Sequence, residues 1–393
     1  MDKVRIAVVG LGNMGTATSK FIHDGSAPET TIAAVCDINP ARLEWAKEAL
    51  PEAERFGDFD EMLKNCKADA VYIATPHYFH PPMAIAAMKA GYHVLTEKPA
   101  AVYTNAVHEM IAAQKETGKI FGIVYNQRTN PMYQRIRQII KNEELGEMRR
   151  LHWMITNWFR TQYYFNSCDW RATWKGEGGG VLINQSVHNL DLWQWMAGMP
   201  DRIMAHCYFG KYHDIEVEDD VSIFAEYKNG ATAHFITTTG EAPGSNRLEI
   251  VFDRGKVVCE GGRLFVTSAK ESVSRHIYED SIGYGFPKFS TVEEHPEGKE
   301  TAHAGIMSNF CRAILYGEEL LAPGADGLYA LSIVNATLLS AWKGNAWIDM
   351  PLNGDEFYDQ LQAKIAASTV EKHGENILFD LEATEKLGSL GLK

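Results

Sequence analysis

Gly10-Leu11-Gly12-Asn13-Met14-Gly15 is a GxGxxG run that follows a short apolar stretch and opens a helical pattern. That spacing suits a diphosphate: Gly10 permits a tight turn, Gly12 lets phosphate oxygens approach the backbone, and Gly15 allows close packing of helix on strand. The free amides at the helix start, around Asn13 and Met14, carry a partial positive charge and hold the anion. Asp37 stands 22 positions past Gly15, close to the spacing of a carboxylate that bonds the adenosine ribose hydroxyls of a dinucleotide. It would repel a 2'-phosphate, so the expected cofactor is NAD rather than NADP, unless Arg42 swings over the ribose. The alternative for Asp37 is a helix cap ahead of Asn39-Pro40.

Those residues need a sheet to carry them. Apolar runs at Val4–Val9, Thr31–Cys36, Ala70–Ala74, His93–Thr96 and Ile120–Val124 read as buried parallel strands. Helix candidates alternate with them at Met14–His23, Ala41–Leu50, Phe59–Lys64, Pro82–Ala90 and Asn105–Thr117. Alternation of this kind gives right-handed crossovers and a doubly wound α/β sheet whose ligand crevice lies beyond the carboxyl ends of the strands. Beyond about Ile123 the pattern changes. A helix at Met132–Lys141 is followed by segments at Arg150–Trp158, Ile203–Phe209, Val221–Tyr227, Thr232–Thr238, Leu248–Phe252, Lys256–Cys259 and Arg263–Thr267. Several of these alternate apolar with polar, as half-exposed antiparallel strands do. The expectation is a Rossmann domain over 1–124 and, over 125–393, a substrate-binding and oligomerisation domain of the α+β class with a large, mostly antiparallel open sheet. Such a sheet, with one free face, is a ready surface for a homodimer or homotetramer. Further helices are expected at Gly305–Tyr316 and Asp326–Trp342, and the tail beyond Met350 receives no function.

Composition closes off other classes. A chain of 393 residues exceeds what one core supports, and a net charge of −13 without a Lys/Arg run disfavours nucleic acid and anionic lipid as partners. The six cysteines are dispersed, with no metal-ligand spacing, so no metal is expected and the thiols read as reduced. The strand at Val4–Val9 leaves no room for a secretory leader, and no apolar stretch reaches the about 18 residues of a membrane span, which makes the expected location cytoplasmic.

Two further segments follow buried strands on the cofactor side: Ala74-Thr75-Pro76-His77-Tyr78-Phe79-His80 and Thr96-Glu97-Lys98-Pro99. A GxGxxG run followed much later by Glu-Lys-Pro resembles the glucose-fructose oxidoreductase and inositol dehydrogenase family, Gfo/Idh/MocA, through nearly the whole chain. The resemblance implies a proline peptide that is commonly cis, with Glu97 contacting the cofactor and Lys98 acting as a catalytic group that also meets substrate. It places Thr75, Pro76 and His80 beside the cofactor and Asn126 and Gln127 near the nicotinamide, and gives Arg128 a structural task. An ammonium in a partly desolvated cleft beside oxidised nicotinamide has a lowered pKa, which suits Lys98 to proton relay near neutrality.

Gly178-Gly179-Gly180-Val181-Leu182-Ile183-Asn184-Gln185-Ser186-Val187-His188-Asn189-Leu190-Asp191 is similar to that family's GGG-x-L-x-D-x-G-x-H-x-x-D element, a glycine turn feeding a helix with catalytic groups. On a helix, Asn184 and His188 would share one face, while Asp191 would pair with His188 or support the helix from behind. His188 is the expected acceptor of a hydroxyl proton, because imidazole titrates near neutrality. Asn184 departs from the family's aspartate: an amide carries no charge, though it still bonds a hydroxyl. That leaves open which of Lys98 and His188 is the base. Trp158, Arg160, Tyr163, Tyr164, Arg171 and Trp174 cluster before the glycine turn. Aromatic faces stack on sugar rings while Arg and Tyr bond hydroxyls, so Arg160, Tyr163 and Arg171 are the preferred contacts, against a reading of plain core packing. Arg171 is also assigned to the cofactor, and His303, ahead of a late helix, to substrate.

The resemblance implies NAD-dependent oxidation of a secondary ring hydroxyl of a sugar, cyclitol or glycoside, with C3 of a hexosyl unit as the favoured position. Two other readings stand beside it: a redox-neutral glycosidase or lyase working through a transient 3-keto sugar, and a non-catalytic NAD-binding regulator.

Overall fold

The computed structural model describes residues 2–372 together with 374, 377 and 379. Six strands, β1 (Val4–Val9), β2 (Thr30–Cys36), β3 (Glu54–Phe56), β4 (Ala70–Ile73), β5 (His93–Thr96) and β6 (Phe121–Ile123), pair in parallel in the order β3-β2-β1-β4-β5-β6. This is the doubly wound order, and its switch point falls between β1 and β4. β1 and β4 are apolar because helices cover both faces of the sheet: Ile6, Val8 and Val9 on β1 and all of β4 are buried. β3 is absent from the sequence reading because Glu54-Arg55-Phe56 shows no apolar run; it exists only by pairing with β2.

The second sheet has nine strands. β7 (Met148–Ile155), β8 (Arg202–Phe209), β9 (Glu218–Glu226), β10 (Thr232–Thr238), β11 (Asn246–Phe252), β12 (Gly255–Glu260), β13 (Arg263–Ala269), β14 (Phe289–Glu294) and β15 (Ile348–Asp349) run in the order β14-β13-β12-β11-β7-β10-β9-β8-β15. All its pairings are antiparallel except β7 with β10. The edge strands β14 and β15 were not legible, one being mostly exposed and polar and the other two residues long.

Helices Pro131–Lys141, Val187–Ala197 and Gly327–Trp342 pack together behind this sheet. Trp193 stacks on Phe235 of β10 with centroids 5.9 Å apart, fixing one helix to the sheet. Gly327–Trp342 is apolar nearly all round because it is enclosed between the second sheet and helix Thr104–Thr117 of the first domain. The two halves are further joined by Asn335, whose Nδ2 donates to Val102 O at 3.0 Å. No helix among the described residues is long and apolar enough to cross a membrane.

Candidate active site

The glycine turn is built by exclusion. Gly10 has φ +87°, and a Cβ there would lie 2.7 Å from Ala74 O; a Cβ on Gly15 would fall 1.7 Å from Gly10 O. At Gly12 a Cβ would meet nothing within 4 Å among the described residues. Two glycines are therefore required by the protein's own packing, and the third opens a space. Gly12 is also the N-cap of helix Asn13–His23, and no side chain caps its first amides, nor is there an acidic residue in its first turn. Uncapped amides over an open glycine fit a diphosphate. Asp37, at the end of β2, accepts from the Leu11 amide at 2.6 Å and the Asn39 amide at 2.8 Å. The helix cap before Pro40 is Asn39 itself, so Asp37 ties the glycine turn to β2, and each oxygen keeps a lone pair for a ribose hydroxyl.

Beyond β4 and β5, two loops brace each other. Lys98–Pro99 is a cis peptide. The His80 ring sits between them, Nδ1 2.7 Å from Pro99 O and Nε2 2.7 Å from Thr75 O. His80, expected beside the cofactor, spans the loops of Thr75 and Pro99 with its ring. Glu97 is likewise turned inward: its carboxylate accepts from Tyr72 Oη at 2.6 Å, and Tyr72 in turn accepts from Thr18 of the glycine helix at 3.0 Å. His77 and Tyr78 carry the domain contact, with His77 Nδ1 3.0 Å from Glu177 O and Tyr78 Oη donating to Trp174 O at 2.7 Å.

The glycine triplet packs as tightly as the first turn. Cβ atoms on Gly178 and Gly180 would come within 2.2 Å of Val102 and 2.0 Å of Glu218 O. Glu218 is fully buried; its Oε1 accepts from the Gly180 and Leu182 amides, and burial raises its pKa to about 7. This bracing carboxylate starts β9, and nothing in the sequence pointed to it. The turn continues to Ser186, and the helix begins only at Val187. Asn184 thus lies on the turn ahead of the helix, not one turn below His188 on a shared helical face. Asp191 supports the helix from behind: it forms a two-pronged pair with Arg128 at 2.8 and 2.6 Å, while Arg128 also reaches Asp326 at 2.7 Å.

Lys98 crosses the gap between domains. Its Nζ donates to Asn184 O at 2.9 Å and faces Asn184 Oδ1 at 3.5 Å. Burial lowers the Lys98 pKa, Arg171 and Arg160 push the same way, and Glu97 and Glu177 oppose them. Burial also holds His188 well below the usual imidazole range, reinforced by the charges of Lys98 and His303. Among the described residues, nothing bonds the buried His188 Nδ1 and Asn126 Oδ1. His303 belongs to helix Ala302–Tyr316 as its second residue, one turn earlier than expected, with the Ala302 amide donating to Thr129 Oγ1 at 2.8 Å. Gln127 faces Asn189, whose Nδ2 lies 3.5 Å from Gln127 Oε1.

In the aromatic segment the two adjacent tyrosines differ. Tyr163 is 59% exposed, whereas Tyr164 receives Arg171 Nη1 at 2.6 Å and Gln185 Nε2 at 3.1 Å on its hydroxyl. Both lie on the short helix Gln162–Asn166, where neighbouring side chains diverge by about 100°. Arg160 stacks on Tyr164 and Trp158 at 5.1 and 5.8 Å, and Arg171 is buried between Tyr164 and Glu177. Trp174 is core, against Trp342 and Phe209. The tail, left without a function, reaches this region: Lys372 Nζ donates to Arg171 O at 2.8 Å, the Phe379 amide to Asn13 Oδ1 at 2.9 Å, and the Phe379 ring stacks on Tyr164. Its other residues from 380 on lie outside the described residues.

A separate groove of about 1090 Å³, lined by Arg128, Arg137, Trp195, Arg312 and Asp326 among others, takes no lining from Lys98, Asn184 or His188.

Comparison with known proteins agrees with this arrangement. Residues 4–125 match the GFO/IDH/MocA oxidoreductase family, NAD-binding Rossmann fold, and residues 133–258 match the GFO/IDH/MocA C-terminal domain. The 1-carboxy-3-chloro-3,4-dihydroxycyclohexa-1,5-diene dehydrogenase of Comamonas testosteroni is 30% identical over 61% of this chain, which spans 58% of that relative's length. D-glucoside 3-dehydrogenase of Escherichia coli is 24% identical, with 87% of this chain and 96% of the relative covered. The WlbA dehydrogenase from Chromobacterium violaceum, solved with NADH and UDP-GlcNAcA, superposes with a TM-score of 0.76 at 25% identity, covering 90% of this chain and 97% of that one. With both domains matched in sequence and both sheets in place, the chain belongs to the GFO/IDH/MocA family of NAD-binding Rossmann-fold oxidoreductases.

Proposed function

We propose that this protein oxidises a secondary ring hydroxyl of a sugar, cyclitol or glycoside, with NAD as its cofactor and C3 of a hexosyl unit as the favoured position. The observation that carries the reading is the meeting of Lys98 with Asn184 across 86 residues of chain, beside a His188 whose buried Nδ1 has no partner among the described residues. The amides at Gly12, Asn13 and Met14 would hold the diphosphate, Asp37 the adenosine ribose, and Thr75, Pro76, Asn126 and Gln127 the nicotinamide end. Bound NAD supplies an acceptor for the hydride that leaves the carbinol carbon. His188, kept neutral by burial and by the charge of Lys98, accepts the hydroxyl proton. Lys98 has three N–H donors and uses two on Asn184, so one remains to donate to the substrate oxygen and stabilise its developing negative charge. Arg160 and Tyr164 line the approach with an aromatic face and donors suited to a sugar ring. The likeness to D-glucoside 3-dehydrogenase supports C3.

The test is a panel of cyclitols, free sugars and O- or C-glycosides offered with NAD and with NADP, followed by absorbance at the NADH band and by product mass. Net NADH with a keto product is expected. Release of aglycone without net NADH would replace this reading by redox-neutral cleavage, and tight NADH binding with no turnover on any member would replace it by a regulator.

We also propose a homo-oligomer formed through the open face of the second sheet, where the paired residues Met154 and Ile236 stand 42% and 39% exposed. The six unpaired cysteines suit a reducing cytoplasm.

A further inference from the structure

Glu177 is 1% exposed, lies seven residues before Asn184, and has no place in the chemistry so far. Its Oε1 accepts from Asn184 Nδ2, and from Arg171 Nη1 at 3.5 Å; its Oε2 accepts from the Ala172 amide at 2.6 Å. Ala172 sits at φ +56°, an unusual conformation for a residue with a Cβ, and presents that amide to the carboxylate. A carboxylate accepts only, so it can bind just the NH2 side of the Asn184 amide. The amide is thereby oriented with its oxygen toward Lys98 Nζ.

We propose that Glu177 is a positioning residue that supplies, through Asn184, the negative charge absent from position 184. Carboxylate, amide and ammonium form a continuous chain, Glu177 to Asn184 to Lys98, so that the amide passes on the polarity it does not itself carry. The proposal rests on Lys98 being the group that meets the substrate oxygen. A plain Arg171–Glu177 ion pair would not need the amide; here Glu177 Oε1 accepts from Asn184 Nδ2 as well as from Arg171. The charged and titratable groups facing Lys98 are Glu97 on its own loop, His77 and His80 from the loop after β4, Arg160 and Arg171 from the aromatic segment, and Glu177 and His188. Of these, only Glu177 reaches Lys98 through Asn184.

The experiment reads Lys98 directly, by pH-dependent competitive acetylation of the full-length protein followed by peptide mass spectrometry, and reads kcat against pH in parallel. In Glu177→Gln the Lys98 midpoint is expected to fall by about one to two pH units, with the alkaline limb of kcat following it and kcat reduced about tenfold or more while KM for NAD stays within twofold. In the exchange Asn184→Asp with Glu177→Gln, carboxylate and amide trade places, and the midpoint is expected to return to the wild-type value. An unshifted Lys98 in Glu177→Gln would overturn the proposal, as would an exchange variant no closer to wild type than the single one. Should the single variant fail to fold, the exchange variant alone decides, since a midpoint far from wild type there is equally fatal. Labelling needs no turnover, so a wild-type protein inactive on every sugar would remove the proposed reaction without touching this result.

Discussion

The two glycine turns solve similar steric problems, yet they differ in how charge is handled. Around Gly10, Gly12 and Gly15 almost everything is backbone: amides point outward, helix packs on strand, and the one carboxylate, Asp37, bonds two main-chain amides. Around Gly178, Gly179 and Gly180 the turn is pinned by buried charge, with Glu218 on its amides and Glu177, Arg171, Lys98 and Asn184 linked beside it. A backbone cradle suits an anion with the same shape in every turnover. A buried charge network tunes pKa values, which proton transfer requires. Substitutions should therefore act as sterics in the first turn and as electrostatics in the second.

The largest contrast expected is within the second region. Lys98→Ala and His188→Ala should each lower kcat about 10²- to 10⁴-fold, while NADH affinity by fluorescence titration stays within threefold. If affinity collapses with kcat, both residues belong to cofactor binding rather than to proton transfer.

Next comes a pair in the first region. Gly15→Ala puts a methyl 1.7 Å from Gly10 O, so it should unfold the turn and lower the thermal midpoint together with NADH binding. Gly12→Ala meets no protein atom, so its midpoint should match wild type while NADH binding weakens about tenfold or more. Equal losses of stability in both would erase the distinction between a packing glycine and a cradle glycine.

The pH dependence sharpens the electrostatic half. Oxidation needs His188 neutral, and its pKa is depressed, so the acid limb of kcat/KM should lie below the ordinary imidazole value of about 6.5. It also needs Lys98 charged, and burial lowers that pKa, so activity should fall on the alkaline side before the ordinary lysine value of about 10.5 is reached. Glu177→Gln should move only the second limb. An acid limb above 6.5 would show that His188 is not the base.

Smallest is the comparison of adjacent tyrosines. Tyr164→Phe removes the hydroxyl that gathers Arg171 and Gln185, and should raise KM for the sugar several-fold. Tyr163→Phe, on a half-exposed side chain, should leave both parameters within twofold of wild type.

How much of this was legible follows from how local each signal is. The Rossmann strands other than β3 were readable to within a residue or so because full burial writes itself as an apolar run, and β1 and β5 match their expected limits residue for residue, as does β10 of the second sheet through its alternation. Strands β3, β14 and β15 left no such mark, since their neighbours, not their own composition, make them strands. Lys98, His188 and Asn184 could be singled out by motif, and Arg128 by position. For His80 and Glu97 the motif gave the loop but not the protein partners, Thr75, Pro99 and Tyr72, that each side chain meets within it.

The amino-acid order alone determined the doubly wound sheet and the anion-binding turn, because each follows from periodicity or from glycine at fixed spacing, while the two stretches that bear Lys98 and His188 were marked by their resemblance to the family's motifs. Only the folded chain decided that Asn184 sits on a turn and not on the helix, that Asp191 answers Arg128, that the Tyr164 hydroxyl gathers Arg171 and Gln185 while Tyr163 stands exposed, and that Glu177 and Glu218 hold the second turn. The reason is physical: what a buried polar side chain must bond depends on which donors and acceptors the rest of the chain brings to it, and those come from residues far away in sequence.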